Sequence, residues 1–212
     1  MAEITALRVH PRRPARVDVV LDGRRRLSIP SAAAGGLRVG MTLTPEVLAD
    51  LESRAAEAEA LEAIGRLLAR RPHSEQEARR RMARAGFDEV VIARVLTRLR
   101  ANGDLDDAGF ARAWVENRKD FRPRSAAMIR AELRGRGVAA DDISAALADF
   151  DESQAAEEAA RRAARRWSGI DPADRRRKVS DHLARRGFAY DIIRSVVRAL
   201  EASTEGESEE RP

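Results

Sequence analysis

The side chains with the most obvious chemical reach in this sequence are arginines, and they recur in three runs. Of 40 basic residues all but Lys119 and Lys178 are arginine. The runs are Arg70, Arg71, Arg79, Arg80, Arg81 and Arg84; then Arg118, Lys119, Arg122, Arg124, Arg130, Arg134 and Arg136; then Arg175, Arg176, Arg177, Lys178, Arg185 and Arg186. Guanidinium groups bind carboxylate or phosphate oxygens. Repeated along one face of a repetitive fold, they would form a stripe matched to the spaced negative charges of a polymer. Net charge is only +5, so local distribution rather than the total carries this expectation. A GC-rich genome would also produce a surplus of arginine and alanine, and a solvated face accounts for any one arginine taken alone.

Catalytic chemistry has little footing. Cysteine is absent, which excludes disulfides, thiol catalysis, zinc fingers and iron–sulfur ligation and fits a reducing cytosol. His10, His73 and His182 are far apart and lack companions at ligand spacing, so no metal is expected. Ser180 lies near His182, but two residues apart on a helix they face different ways. Gly35-Gly36 has no nearby lysine, and neither Walker nor Rossmann spacing occurs, so no cofactor is expected. Asp106-Asp107 reads as a helix start rather than an acid–base pair. Met1 to Val9 has no apolar signal core, and no apolar run approaches the ~18 residues of a membrane span. A cytoplasmic, non-enzymatic protein with no membrane partner is expected.

The elements that must position the arginines follow from periodicity. The 212 residues allow one to two domains, or a small domain plus repeats. Val17, Val19 and Leu21, then Asp22-Gly23, then Leu27 and Ile29 alternate apolar and polar side chains around a type I′ turn signal. Ile4 to Val9 would supply a third strand, which an independently stable hairpin needs. Pro30 to Gly40 reads as loop. Thr44-Pro45 starts a helix, with Leu48, Leu51, Ala55, Ala58, Leu61, Ile64 and Leu68 following at steps of three and four, as one long helix or two short ones.

From there to about residue 200 the sequence repeats. Met82-Ala-Arg-Ala-Gly86-Phe87, Leu133-Arg-Gly-Arg-Gly137-Val138 and Leu183-Ala-Arg-Arg-Gly187-Phe188 align without gaps, their glycines 51 and 50 residues apart. Six residues after each glycine stand Ile92, Ile143 and Ile193. Each glycine lies between amphipathic helices, where a left-handed residue closes the first helix. Ser74 and Ser125 each stand twelve residues before their glycine as N-caps, and Asp171-Pro172 takes that role in the third unit. One further helix precedes each pair, carrying Leu61, Ile64 and Leu68; Phe110, Ala111, Trp114 and Val115; or Ala160, Ala163, Ala164 and Trp167.

The expected fold is mainly α: tandem three-helix, helix-turn-helix-like repeats in an elongated curved array with a small N-terminal β extension. The boundaries are 1–44 for the extension, 45–56 for a connecting helix, 57–102, 103–150 and 151–201 for the repeats, and 202–212 for a disordered acidic tail. Three-helix units suggest insertion of a final helix into the DNA major groove. The segment from Val90 to Arg100 has few base-reading side chains, and Asp141 to Asp149 would repel phosphates. The middle helices and their turns are therefore the expected contact. Phe110, Trp114, Phe150 and Phe188 read as core rather than a stacking platform, with Phe121 and Tyr190 left open.

These residues match a known pattern. With Leu105-Asp106-Asp107, Phe110-Ala111, Trp114-Val115, Arg118, Leu133, Arg136-Gly137-Val138, Leu183 and Arg185-Arg186-Gly187-Phe188, the chain resembles the RecX family, regulators of the RecA recombinase, over about residues 57 to 201. The resemblance implies a non-enzymatic regulator of homologous recombination, DNA repair and the SOS response. It would bind along the groove of a RecA nucleoprotein filament and inhibit ATP hydrolysis, strand exchange and co-protease action. By the same resemblance the basic turns, Arg136, Arg185 and Arg186, are the better binding candidates, while Asp106, Asp107, Phe110 and Ala111 look structural. Single- or double-stranded DNA, bound without sequence specificity, is a further expected partner, and a monomer is the expected state. The alternative is a sequence-independent DNA-binding protein that acts by competing for DNA. The alanine- and arginine-rich stretch from Glu157 to Trp167 departs from the family pattern.

Overall fold

The computed structural model describes residues 1–209, with the side chains of Arg25, Arg26 and residues 203–209 outside the description. It divides into two compact units, Met1–Leu105 and Asp106–Pro212.

The first unit opens with strands β1 (Ala2–Val9), β2 (Arg16–Leu21), β3 (Arg25–Pro30) and β4 (Thr42–Leu43), an antiparallel sheet in the order β3-β2-β1-β4. The turn between β2 and β3 has Asp22 at φ 51° and Gly23 at φ 69°, the two left-handed residues that a type I′ turn requires. The fourth strand lies between the expected loop, Pro30 to Gly40, and the helix start at Thr44: Ile4 and Met41 pair through their backbones, which brings Thr42–Leu43 onto β1. Ile4, Val19, Leu21, Ile29 and Leu43 meet Leu51 and Ala55 of helix α1 (Pro45–Leu68). Thr44 caps α1 by accepting from the Val47 N–H, with Pro45 in the first turn. Arg16 is buried on β2, yet its guanidinium donates to Glu62 at 2.9 Å and to the Ser28 carbonyl at 2.6 Å, so the sheet is tied to α1 by a satisfied cation.

Helix α1 is continuous for 24 residues, so the connecting helix and the first helix of the first repeat are one element. Its second half places Ala60 and Ile64 against α2 (Glu75–Arg84) and α3 (Glu89–Ala101), with Ala78, Met82, Ile92, Val95 and Leu96 completing the core.

The second unit holds two more such trios. Helices α4 (Asp107–Phe121), α5 (Ala126–Gly135) and α6 (Ala140–Ala146) enclose Phe110, Ala111, Val115, Ile129, Leu133, Val138, Ile143 and Leu147. Helices α7 (Glu152–Arg166), α8 (Pro172–Ala184) and α9 (Tyr190–Glu209) enclose five alanines of α7 with Val179, Leu183, Phe188, Ile193, Val196 and Val197. Residues 202–209, expected from the sequence as part of a disordered tail, continue α9 as helix, since extending a formed helix costs little. Residues 210–212 of that tail lie outside the described residues. No helix among the described residues is long and apolar enough to cross a membrane.

Candidate partner-binding surface

Each arginine run includes residues of a middle helix, and both ends of these helices are closed by hydrogen bonds. Ser74 and Ser125 cap α2 and α5 by accepting from the Glu77 and Met128 N–H groups at 3.2 and 3.1 Å, and Asp171 caps α8 through Ala173 at 2.9 Å. Each middle helix then ends in the same pair of backbone bonds. Gly86, Gly137 and Gly187 donate to Ala83, Arg134 and Ala184, while Phe87, Val138 and Phe188 reach back to Met82, Leu133 and Leu183. This Schellman closure needs a left-handed residue, and the three glycines have φ of 86°, 80° and 85°. The arginines before each glycine are therefore held on fixed backbone.

Their side chains do different things. Arg136 stacks on Trp114 with its guanidinium carbon 3.8 Å from the ring centroid, and Arg118 lies 4.2 Å from that ring. Glu132 accepts from Trp114 Nε1 and Arg118 Nε, both at 2.7 Å, and from Arg124 Nη1, and its carbonyl accepts from Arg136 at 3.1 Å. One carboxylate thus gathers three donors around an indole that two guanidiniums contact, making Arg118, Arg124 and Arg136 part of the second domain's framework. Arg186 is also internal: Nε donates to His182 Nε2 and Nη1 to the Pro123 carbonyl, each at 2.8 Å. Burial, then the charges of Arg124, Arg162 and Arg122, hold the Arg186 guanidinium below its usual value. Burial first, then Arg186, Arg185 and Arg166, lower the His182 pKa. Arg79 pairs with Glu89, Arg176 with Glu201 at 3.5 Å and Arg177 with Asp174 at 2.8 Å. Arg80 is exposed and engaged.

What remains for a partner is a subset. Arg84, Arg122, Arg134, Lys178 and Arg185 are exposed, Arg130 and Arg175 half-buried, and none has a side-chain hydrogen bond or ion pair among the described residues. Arg136 and Arg186, expected from the sequence as partner contacts, make internal contacts in the tertiary structure. Glu132 is not among the residues expected from the sequence, and its only signal there is its place among Trp114, Arg118 and Arg124. Phe110 and Phe188 are buried and Trp114 and Phe150 half-buried in the cores, whereas Phe121 and Tyr190 are exposed.

The second and third domains meet through this region. Arg162 of α7 donates to the Asp120 and Phe121 carbonyls at 2.7 and 3.2 Å, closing the end of α4. The Ser125 N–H donates to the Arg186 carbonyl at 3.1 Å. A Cβ on Gly187 would lie 2.6 Å from Ser125 Oγ and overlap Met128 Cγ.

Comparison with known proteins follows the same three-domain division. The family descriptions "RecX, first three-helix domain", "RecX, second three-helix domain" and "RecX, third three-helix domain" match residues 60–99, 106–147 and 151–197. A "Regulatory protein RecX" from Halorhodospira halophila is 36% identical over 156 residues, covering 73% of this chain and 96% of the relative. Another, from Prosthecochloris aestuarii, is 36% identical over 130 residues, covering 61% and 85% respectively. A solved structure described as "Crystal structure of regulatory protein RecX" superposes with a TM-score of 0.70 at 21% identity, over 92% of this chain and 98% of that one, and so shares the fold.

Proposed function

The chain belongs to the RecX family, and from that membership we propose that it is a cytoplasmic, non-enzymatic regulator of homologous recombination and the SOS response. In this reading it binds along the groove of a RecA nucleoprotein filament and inhibits ATP hydrolysis, strand exchange and co-protease action. The supporting observation is the pairing of three family domains with unengaged cations on or beside the same closed turn: Arg84 in the first, Arg134 in the second and Arg185 in the third. Cations fixed on rigid backbone lose little freedom on meeting a regularly spaced anionic surface.

The test is titration into the cognate recombinase on saturating single-stranded DNA while ATP hydrolysis is followed. Substoichiometric inhibition is expected. Charge reversal at Arg122, Arg134 and Arg185 together is expected to abolish it while leaving the thermal midpoint close to wild type, because exposed charges rarely change stability by more than ~0.5 kcal/mol. The exposed Arg122 and Lys178 also suit phosphates, which favours a second reading of competition for DNA. Nanomolar binding to bare DNA at ~150 mM salt, with inhibition vanishing in excess DNA, would establish that reading instead.

A further inference from the structure

An apolar groove of about 200 Å³ opens between the second half of α1 and α2, in the first three-helix domain. Its floor is Ile64, Leu67, Met82 and Phe87. Ile64 and Met82 are buried in that domain's core, so the floor is as fixed as the core itself. On the lining stand Arg66, Arg70 and Arg81, all exposed, with no carboxylate among them. None of the three guanidiniums makes a hydrogen bond or ion pair among the described residues. Arg66 and Arg81 lie in the last turns of α1 and α2, where helix dipoles favour a cation. The dipoles do not account for the apolar floor that the three charges surround.

We propose that this groove docks an acidic segment of a protein partner, which inserts one aliphatic or aromatic side chain between α1 and α2 and sets carboxylates against Arg66, Arg70 and Arg81. The proposal rests on the reading of the chain as a filament-binding regulator and assigns one anchoring contact to its first domain. Size argues against a metabolite, since pockets for small ligands run to roughly 300–1,000 Å³. Chemistry argues against a nucleobase: the floor offers no donor or acceptor side chain. The guanidiniums on the lining donate but cannot accept, so the amino and imino N–H groups of a buried base would lose their hydrogen bonds to water with no side-chain acceptor to replace them. A hydrocarbon side chain has no such groups to satisfy, and carboxylates beside it would meet guanidiniums that have no internal partner. A side chain anchored in a well-packed, desolvated pocket is a common form of interface hot spot.

Two variants probe the groove differently. Ala85 lines it from an exposed position at the end of α2, so Ala85→Trp fills it without entering the core. Arg66→Glu with Arg70→Glu and Arg81→Glu reverses the rim. Affinity would be measured for recombinase filaments on single-stranded DNA and, in parallel, for a bare labelled single-stranded oligonucleotide, with circular dichroism melting as the fold control. Both variants are expected to bind filaments at least about tenfold more weakly with wild-type melting, and Ala85→Trp to leave oligonucleotide affinity unchanged. Wild-type filament affinity in Ala85→Trp would overturn the groove proposal alone. Parallel loss of oligonucleotide affinity in Ala85→Trp would also overturn it, making nucleic acid the occupant. A wild-type chain that does not bind filaments would overturn both the groove proposal and the functional reading beneath it.

Discussion

The second and third three-helix domains reach the same topology with opposite distributions of volume. Their opening helices, α4 and α7, are each 15 residues long. Helix α4 buries Phe110, Ala111 and Val115, and half-buries Trp114 in contact with Arg118 and Arg136. Helix α7 buries alanines alone, at positions 155, 156, 159, 160 and 163. The compensation comes from its partners: Phe188, Ile193, Val196 and Val197 fill the third core, where the equivalent stretch of the second supplies the smaller set Val138, Ile143 and Leu147. Helix spacing adjusts to the side chains between the axes, so a helix with an alanine face can approach its neighbours closely. The departure from the family pattern in the Glu157 to Trp167 stretch therefore leaves the trio intact, because the α8–α9 pair brings the bulk.

The largest expected effects exploit this asymmetry. Phe110→Ala should cost about 3–5 kcal/mol in denaturant unfolding, as buried aromatic truncations do. On α7 the sensitive change runs the other way: Ala160→Leu, at a fully buried position, should cost about 1–3 kcal/mol by overpacking. A neutral Ala160→Leu would show that α7 is loosely packed and that the contrast between the domains is false.

A smaller effect should separate the closing turns. Gly86 has φ 86°, and a Cβ placed there would meet nothing within 4 Å, so Gly86→Ala should cost only the left-handed penalty of about 1–2 kcal/mol. Gly187 has nearly the same φ but lies against Ser125 and Met128, so Gly187→Ala should cost distinctly more in the same melting experiment. Equal losses at the two positions would mean that the turn of the third domain does not press on the second.

The smallest effect is a pH dependence belonging to the third domain. His182 accepts from Arg186 in its neutral form and has a lowered pKa in the folded chain. The unfolded chain therefore holds the proton to higher pH. The contribution of His182 is complete above its unfolded pKa, near 6.5, and is lost as pH falls through that value toward the folded one. Thermal midpoints measured from about pH 7.5 down to about 5 should fall more steeply for the wild type than for His182→Asn. Identical slopes would remove His182 from the account.

Local rules made much of this protein readable from the sequence. Asp22-Gly23 specified a hairpin because few residue pairs tolerate two left-handed conformations. The capping residues and Gly86, Gly137 and Gly187 marked helix ends because unpaired backbone groups must be satisfied nearby, whatever lies across the core. The register of Ile92, Ile143 and Ile193 marks the repetition, and the family motifs from Asp106 to Phe188 fall within the second and third RecX domains, at residues 106–147 and 151–197. The fate of each arginine was different. A sequence displays charge, but whether a guanidinium meets Glu132, lies on Trp114, reaches the Pro123 carbonyl or points to solvent depends on residues brought close only by folding. The same holds for the groove of Arg66, Arg70 and Arg81, which span two helices, and for β4, whose two residues became a strand only because β1 offered them an edge. Backbone closure is settled within a few residues of chain, whereas side-chain partnership across helices is settled by tertiary packing.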